Sequence, residues 1–378
     1  MAAKGLTLAT TPSELLEEIF SWACTDDGQT GRSINLVCKQ FRNHCMGTGV
    51  DIRQVYLCGP KALERFHYAL AMRESEGRKV VSLCMMWDEA IPAKYLDRHT
   101  QTQCTASMVS ILRAISPDHL RVLYVSWIYS WSLTPMLPVT FPSLSELYAS
   151  SADVSSLPPG RAPNLKFLHI DQPGRLSLKF GSVLATACPA ITHLHIRSTG
   201  LQCVEDDPIL LFIHSYRASQ RSLRDVTSTY TQYFLSERTL IGGPAYAVPP
   251  KPFPLPKLRQ LVISFPPVYA GGRGCGNGSM ANHETGGLYW HVARGGENMF
   301  SSIDSTMVEG PADEEGGKPK KLLRVDLGGR KLVVFPASGD RDEDLLDEDR
   351  VTRRAALKAE WLSRSIGVPG VARHWSEI

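Results

Sequence analysis

A short apolar pattern recurs through the chain and restricts its fold more than any other feature. In each copy an apolar residue is followed by a second three positions later, and by a third two positions after that. The clearest copies are Leu120/Leu123/Val125, Leu144/Leu147/Ala149, Leu165/Leu168/Ile170, Ile191/Leu194/Ile196 and Leu258/Leu261/Ile263. The first four begin 24, 21 and 26 residues apart, a spacing typical of stacked units that are each too small to enclose a core alone.

This pattern resembles a degenerate leucine-rich repeat. The resemblance implies a short strand in each unit and a helical or irregular return segment, for which residues 107–115 are one candidate. The Asn that is usual in this repeat is replaced, for example by Thr199. Unrelated strands of an ordinary α/β domain are the alternative. Weaker copies stand at Ile52/Val55/Leu57, Val80/Leu83/Met85, Leu223/Val226 and Leu322/Val325/Leu327.

The repeat also predicts which side chains point away from the core. Strand residues alternate between two faces, so the residue between the second and third apolar positions lies on the outer face. Stacked strands would place these residues side by side, and several are aromatic or imidazole groups suited to protein recognition. We hypothesise that a substrate-binding surface is lined by Tyr124, Tyr148, His169 and His195. Surface side chains without any partner are the alternative.

Residues 11–45 carry a separate signal, two short amphipathic helices. Thr11 is predicted to cap the first helix, with Pro12 at its first position and Glu14 completing a capping box. Ser33 is predicted to cap the second helix. The first helix has a wide face made of two apolar lines, Leu15/Ile19/Trp22 and Leu16/Phe20/Ala23. Because two helices of this length bury too little surface to be stable alone, another surface should cover them.

The order of residues in this segment resembles the F-box. The matching residues are Pro12, Glu14-Leu15-Leu16, Ile19-Phe20, Leu36-Val37-Cys38-Lys39 and Phe41-Arg42. Thr11 replaces the usual Leu, and Phe41 replaces the usual Trp. In that family the apolar face binds the small adaptor subunit of a cullin-based ubiquitin ligase, and the rest of the chain selects the protein to be ubiquitinated. The resemblance implies that the adaptor is bound by Pro12, Leu15, Leu16, Ile19, Phe20, Val37, Cys38, Lys39 and Phe41.

Together these signals predict an α/β chain in which a short N-terminal helical F-box precedes an irregular leucine-rich-repeat-like solenoid. A C-terminal helix with apolar pairs at Leu357/Trp361 and Leu362/Ile366 is predicted to cap the open end of the solenoid. The proline-rich residues 244–256 are interpreted as a connector. The predicted divisions are a flexible N-terminus (1–10), the F-box-like module (11–48), the recognition domain (49–270), a Gly-rich, charged and mobile insertion (271–321), and a last repeat-like strand with the capping helix (322–378).

Composition bears on the partners and the compartment. A formal net charge of +3 gives no reason to expect nucleic acid or a membrane as a partner. Nine cysteines without paired spacing favour reduced thiols in a cytoplasmic or nuclear protein. The chain has no signal-peptide pattern and no run of about 18 apolar residues that would predict a membrane span.

Catalytic motifs are absent from the sequence. His193 and His195 share a strand face, but no third metal ligand accompanies them at suitable spacing. Cys38 and Cys45 fall on an apolar helix line and are interpreted as core or interface thiols. We therefore expect no catalytic residue, metal or cofactor, and a non-catalytic, substrate-recognition subunit of an SCF-type ubiquitin ligase. The alternative is a repeat-like scaffold or uncharacterised enzyme whose N-terminal helices only cap the fold.

Overall fold

A computed structural model describes ten stretches of the chain. They are residues 11–86, 98–126, 137–150, 157–171, 180–197, 255–264, 305–309, 321–326, 331–335 and 346–365. No helix in these stretches combines the length and apolar character needed to cross a membrane. Residues 1–10, most of the proline-rich connector, and the weak repeat copy at Leu223/Val226 lie outside the described residues.

The chain begins with three short helices where two were predicted. They are α1 (Ser13–Ala23), α2 (Gln29–Val37) and α3 (Lys39–Thr48). The second and third are separated at Cys38, whose backbone is extended at φ −159° and ψ 165°. The sulfur of Cys38 accepts a hydrogen bond from the Phe41 N–H at 3.5 Å and so caps α3. The predicted helix start at Ser33 is therefore wrong, because Ser33 lies inside α2.

The start of α1 also differs from the prediction. Pro12, rather than Thr11, is the N-cap residue and its side chain makes no capping hydrogen bond, so α1 begins one residue later than predicted. The carbonyl of Pro12 accepts the first helical hydrogen bond from the Leu16 N–H at 3.0 Å. Proline has no backbone N–H, and this costs no hydrogen bond here because the first N–H groups of a helix have no partner within the helix.

The three helices form a small core of their own. The rings of Phe20 and Phe41 meet edge to face with their centroids 5.1 Å apart. Val50, in a 3-10 helix that follows α3, supplies a third wall of this core. The complete set of buried core residues is Leu16, Phe20, Phe41, Cys45 and Val50. Leu16 and Phe20, from one apolar line of α1, are thus covered within the three-helix unit. The prediction of two helices did not include this internal core.

The repeat copies form adjacent strands of one sheet. The first seven strands pair in parallel in chain order. They are β1 (Gln54–Cys58), β2 (Ser82–Met86), β3 (Val122–Ser126), β4 (Glu146–Ser150), β5 (Phe167–Asp171), β6 (His193–Arg197) and β7 (Gln260–Ser264). All five clear copies and two of the weaker ones lie on these seven strands, and the predicted α/β class is confirmed.

Three further strands extend the sheet beyond β7, and they are β8 (Ser305–Glu309), β9 (Lys321–Asp326) and β10 (Lys331–Phe335). β10 pairs in parallel with β7, whereas β9 pairs antiparallel with both β10 and β8. The weak copy at Leu322/Val325 therefore lies on a strand that runs against the parallel series. β8 and Lys321 are the described parts of the 271–321 range.

Turns that contain proline lead into four of the strands. The N–H of Leu165 donates to the Ala162 carbonyl at 3.2 Å across Pro163, and the N–H of Ile191 donates to the Cys188 carbonyl at 3.3 Å across Pro189. Proline fits the second position of such a turn because its fixed φ matches the turn geometry. Equivalent turns stand at Pro142 and Pro256. The prolines before the repeat copies thus set the point at which each strand begins.

A ladder of backbone hydrogen bonds stacks the same positions from one repeat to the next. The N–H just before each strand donates to the carbonyl at the equivalent position of the preceding repeat, at 2.8–2.9 Å. The successive members are Arg53, Val81, Arg121, Ser145, Lys166, Thr192 and Arg259. These bonds hold successive units together at the positions leading into the strands.

Helices cover one face of the sheet. They are α4 (Pro60–Ala71), α5 (Arg98–Ala114) and α6 (Phe180–Ala187), and α5 contains the predicted return segment. Their apolar side chains, such as Leu63 and Ile111, pack against the Leu, Val and Ile side chains of β1 to β7 in one continuous core. This face holds the largest cluster of buried apolar side chains, and it leaves the opposite face of the sheet available for other contacts.

The last helix, α7 (Leu346–Ser365), packs on the opposite face of the sheet. It contacts β2 and β3, and Trp361 is buried among their outward-facing side chains. The prediction that this helix caps an open end of the repeats is therefore wrong. Helices lie on both faces of the first four strands.

Candidate functional site

Exposed apolar side chains are concentrated on the first two helices. Of the seven large apolar side chains that are exposed in the described part of the chain, five lie on α1 and α2, Tyr68 lies on α4, and Met72 directly follows α4. We call the five the docking face: Leu15, Ile19, Trp22, Leu36 and Val37. Trp22 and Leu36 are 76% and 78% exposed, values usual for charged side chains rather than apolar ones. Since α1 contacts α2, both helices belong to one packed unit.

The residues predicted to bind an adaptor divide into two groups. Six are exposed, namely Pro12, Leu15, Ile19, Val37, Cys38 and Lys39. Three are buried in the core of the three helices, namely Leu16, Phe20 and Phe41. The buried three cannot contact a partner in this conformation, because they pack against one another and against Cys45 and Val50. Their role is to hold α1 so that Leu15 and Ile19 face outward.

Trp22 and Leu36 were not among the predicted contact residues. The periodicity of α1 contains the signal for Trp22, which stands three positions after Ile19 on the same line. Leu36 precedes Val37 at the end of α2, and both are exposed because the helix stops at Cys38. The apolar periodicity predicted a single helix that continues through Cys38, with Val37 but not Leu36 on its apolar line.

A buried ion pair ties the three helices to the sheet. Arg73, which follows α4, donates to both carboxylate oxygens of Asp51 at 2.9 and 2.5 Å. The two side chains are 5% and 3% exposed. Arg73 also donates to the Cys45 carbonyl at 3.1 Å, and Asn35 donates to Asp51 at 2.6 Å. One cluster thus connects α2, α3 and the end of α4.

A second connection runs from the loop between α1 and α2 to the C-terminal helix. Lys358 pairs with Asp27 at 2.7 Å and lies over the ring of Tyr56 at 4.7 Å. The neighbouring Asp26 accepts hydrogen bonds from Gly28 and Thr30 that shape this loop. Partial burial acts to raise the pKa of Asp26, but these hydrogen bonds outweigh it and lower the pKa. Asp26 is therefore charged at neutral pH.

The outer face of the sheet carries the predicted row of side chains in register. Tyr124, Tyr148, His169 and His195 are direct partners on β3, β4, β5 and β6. Tyr124 and Tyr148 stack at 5.1 Å, Tyr148 and His169 meet edge to face at 4.6 Å, and His169 and His195 stack at 4.1 Å. Cys84 on β2 continues this aromatic row toward β1. The predicted alignment is confirmed.

Part of the aromatic row is covered by α7. Tyr124 and Tyr148 are each only 2% exposed, because Trp361 packs on them together with Cys84 and Val122. His169 and His195 are half-buried. The prediction of an open surface is therefore wrong for the two tyrosines. No pattern in the sequence indicates that α7 lies on this face.

An ion pair fastens the end of α7 to β4. Arg364 contacts Glu146, which also accepts a hydrogen bond from the Tyr124 hydroxyl at 3.0 Å. Burial raises the pKa of Glu146, although the charge of Arg364 opposes this shift. Burial also raises the pKa of Tyr124 well above its ordinary value, and the charge of Glu146 adds to the effect. Tyr124 is thus a hydrogen-bond donor in this cluster and not an acid or base near neutral pH.

Within the part of the chain that the structure describes, no group of three or more His, Cys, Asp and Glu side chains is arranged to hold a metal ion. Burial raises the pKa of Cys45 and of Cys188 to about 12 in each case, so both thiols are protonated at neutral pH. Burial and the nearby charge of Arg259 lower the pKa of His193, which stacks on Phe167 at 4.5 Å.

Comparison with known proteins adds no family assignment: no protein-family model and no curated protein matches the chain. The functional conclusion therefore rests on the two surfaces described above. One is the exposed docking face of α1 and α2, and the other is the aromatic row with the helix that covers it.

Proposed function

We propose that this chain is the substrate-recognition subunit of an SCF-type ubiquitin ligase, with a non-catalytic role. The docking face carries the proposal. Its exposed apolar side chains lie at or beside positions where the sequence resembles an F-box, and in that family this face binds the adaptor subunit. The adaptor would contact Pro12, Leu15, Ile19, Trp22, Leu36, Val37, Cys38 and Lys39.

The exposure of this face favours a protein partner over a capping role. Helices that only cap a fold turn their apolar side chains inward, as Leu16 and Phe20 do. Large apolar side chains that stay in water next to one another are typical of interaction sites. Covering a side chain such as Trp22 or Leu36 would contribute about 1.5–3 kcal/mol each. A partner with an apolar groove would gain this energy on binding.

The connection between the two surfaces fits a recruiting subunit. A ligase must hold its target at a fixed position, so the docking module and the recognition surface need a stiff link. The buried pair of Asp51 and Arg73 joins the three helices to the end of α4, and Lys358 joins them to α7. We infer that a target bound on the sheet is held in a defined orientation relative to the adaptor.

The recognition surface in this proposal is the outer face of the sheet. His169 and His195 are its partly accessible members, and Tyr124 and Tyr148 become available only if α7 moves. Such a surface of rings suits a protein ligand, because aromatic groups supply large contact area at low entropic cost. The proposed compartment is the cytoplasm or the nucleus, where such ligases act on their targets.

A pull-down with the purified adaptor subunit tests the proposal. The wild-type chain is expected to retain the adaptor, and the double variant Ile19→Asp plus Val37→Asp is expected to lose it. Both side chains are exposed, so the variant should fold normally. The matched control is Tyr68→Asp plus Met72→Asp, which places the same charges on the exposed apolar pair at the end of α4 and directly after it. Failure of the wild-type chain to bind, or equal loss with the α4 control, would overturn the proposal.

A further inference from the structure

We propose that the outer sheet face beneath α7 is a binding groove for an amphipathic helix, and that α7 occupies this groove until a helix of the same chemistry in a target protein displaces it. The preferred ligand has an aromatic residue at its centre and a basic residue three positions before and after it. Calling the ligand a ligase substrate rests on the proposed function, whereas the groove itself does not.

The groove is defined by the site on the sheet that holds the Trp361 side chain, which we call the seat. The indole is fully buried in one cluster with Tyr124, Tyr148, Cys84 and Met86. The side chains that form this seat come from β2, β3 and β4, which the continuous core on the opposite sheet face holds in place. The seat therefore belongs to the sheet and does not depend on α7 for its formation.

The charges at the two ends of the seat select basic residues. Lys358 and Arg364 stand three positions before and three positions after Trp361, so all three can lie on one side of the helix. Lys358 meets Asp27, and Arg364 meets Glu146. A helix with acidic residues at these two positions would leave four carboxylates facing each other, which the groove would reject.

Polar contacts at the last turn of α7 add a third point of recognition. These contacts do not require a particular apolar side chain on the helix. The hydroxyls of Ser365 and Ser82 are 2.5 Å apart, and the side chain of Gln54 donates to the Ser365 carbonyl at 3.3 Å. Both partners on the sheet are residues that begin β1 and β2. Any helix that ends at this point could offer a carbonyl to Gln54.

The way α7 is held is suited to displacement. Among its described side chains, Trp361 alone is fully buried, and Leu357 and Leu362 are partly buried. By contrast, α4 buries Leu63, Phe66 and Leu70 in the main core. The indole N–H of Trp361 also donates to no acceptor in the described part of the chain, so its burial is not accompanied by a compensating hydrogen bond.

The covalent link between α7 and the sheet affects how strongly a competing helix must bind. Because α7 belongs to the same chain as the groove, its binding is intramolecular and is favoured over the binding of a separate helix. A separate helix must therefore exceed the affinity of α7 for the groove, or α7 must be weakened, before the groove opens to a partner. A weakened α7 makes the groove accessible without changing its walls.

A synthetic peptide of residues 346–365 provides the probe. We expect it to bind the full-length Trp361→Ala chain at least tenfold more tightly than the wild-type chain, because the variant keeps the groove and loses the side chain that fills it. A peptide that itself carries Trp361→Ala is the control and should not bind. A peptide with Lys358→Glu and Arg364→Glu should bind at least tenfold more weakly than the natural peptide.

Lack of peptide binding to a folded Trp361→Ala chain would overturn the proposal, and so would equal binding of the control peptide. If that variant does not fold, hydrogen exchange of the wild-type chain shows whether α7 can leave the groove while the rest of the fold stays intact. Exchange of α7 through local opening supports displacement, whereas exchange of α7 only through global unfolding contradicts it. The adaptor pull-down involves neither the peptide nor Trp361, so a failure of the groove and a failure of the ligase function are distinguishable.

Discussion

Asp51 and Arg73 determine how the N-terminal helices are joined to the rest of the molecule. Both are charged side chains inside the fold, and the two hydrogen bonds between them are supplemented by Asn35 and the Cys45 carbonyl. Removing a charge from water is costly, and such a pair is tolerated because each charge is satisfied by the other. The pair could not be predicted from the sequence, because the residues are 22 positions apart and neither belongs to a motif.

Arg73→Ala should lower the free energy of unfolding by about 3–5 kcal/mol, since it leaves the carboxylate of Asp51 buried without its counter-charge. Chemical denaturation of the full chain measures this loss. Arg53→Ala is the matched control, because Arg53 faces Glu17 at 3.6 Å and both side chains are more than a third exposed. It should cost about 0–1 kcal/mol. Equal losses for the two variants would contradict the account of the buried pair.

The pH dependence of stability should reveal His193. Burial and the charge of Arg259 hold its folded pKa below the ordinary value of 6.5. The unfolded chain therefore takes up a proton that the folded chain resists, and the free energy of unfolding falls as the pH drops from about 6.5 toward the folded pKa. In His193→Gln this part of the loss should disappear. His99→Gln, which changes an exposed histidine on α5, is the control, and an unchanged slope in His193→Gln would refute the assignment.

At the scale of the elements, local signals determine where the strands begin and where one helix ends. Proline before four repeat copies fixes turns that precede the strands, and the extended backbone at Cys38 ends α2 and starts α3. The first effect could be predicted, because proline has one dominant backbone preference. The second could not be predicted, because apolar periodicity continued across Cys38 and a thiol is an uncommon helix cap.

Two helical glycines should respond in opposite directions to substitution by alanine. A Cβ on Gly31 in α2 would lie 2.2 Å from the Asp51 carbonyl oxygen, whereas a Cβ on Gly47 in α3 would meet no atom within 4 Å. We expect Gly31→Ala to cost about 1–3 kcal/mol through overpacking. Gly47→Ala should gain about 0.5–1 kcal/mol, because alanine is the better helix former. Thermal or chemical denaturation measures both changes, and a neutral Gly31→Ala would show that the two segments are not packed tightly.

At the scale of the whole molecule, the sheet was predictable and its covering was not. The apolar pattern fixes both the strands and their register, because its spacing assigns each residue to one face. The same spacing placed Tyr124, Tyr148, His169 and His195 in one row. Nothing local to α7 says that Trp361 packs on that row, since the contact joins segments more than 200 residues apart.

The wide apolar face predicted on α1 is exposed only along one of its lines. The pattern of α1 identifies a wide apolar face, but it cannot say which line of that face is used internally. Val50 and Phe41 decide this by covering Leu16 and Phe20, and they leave Leu15, Ile19 and Trp22 outside. Which line remains exposed is a property of the packed three-helix unit and not of either helix alone.

Hydrogen exchange of the full-length chain with and without the adaptor subunit tests the central claim most directly, because it locates the contact as well as detecting it. The account predicts slower exchange in α1 and α2, over residues 13–37, with no change in α4 or α7 when the adaptor is added. Unchanged exchange throughout the chain, or protection confined to α4 or the sheet, would contradict the claim that the docking face is completed by the adaptor.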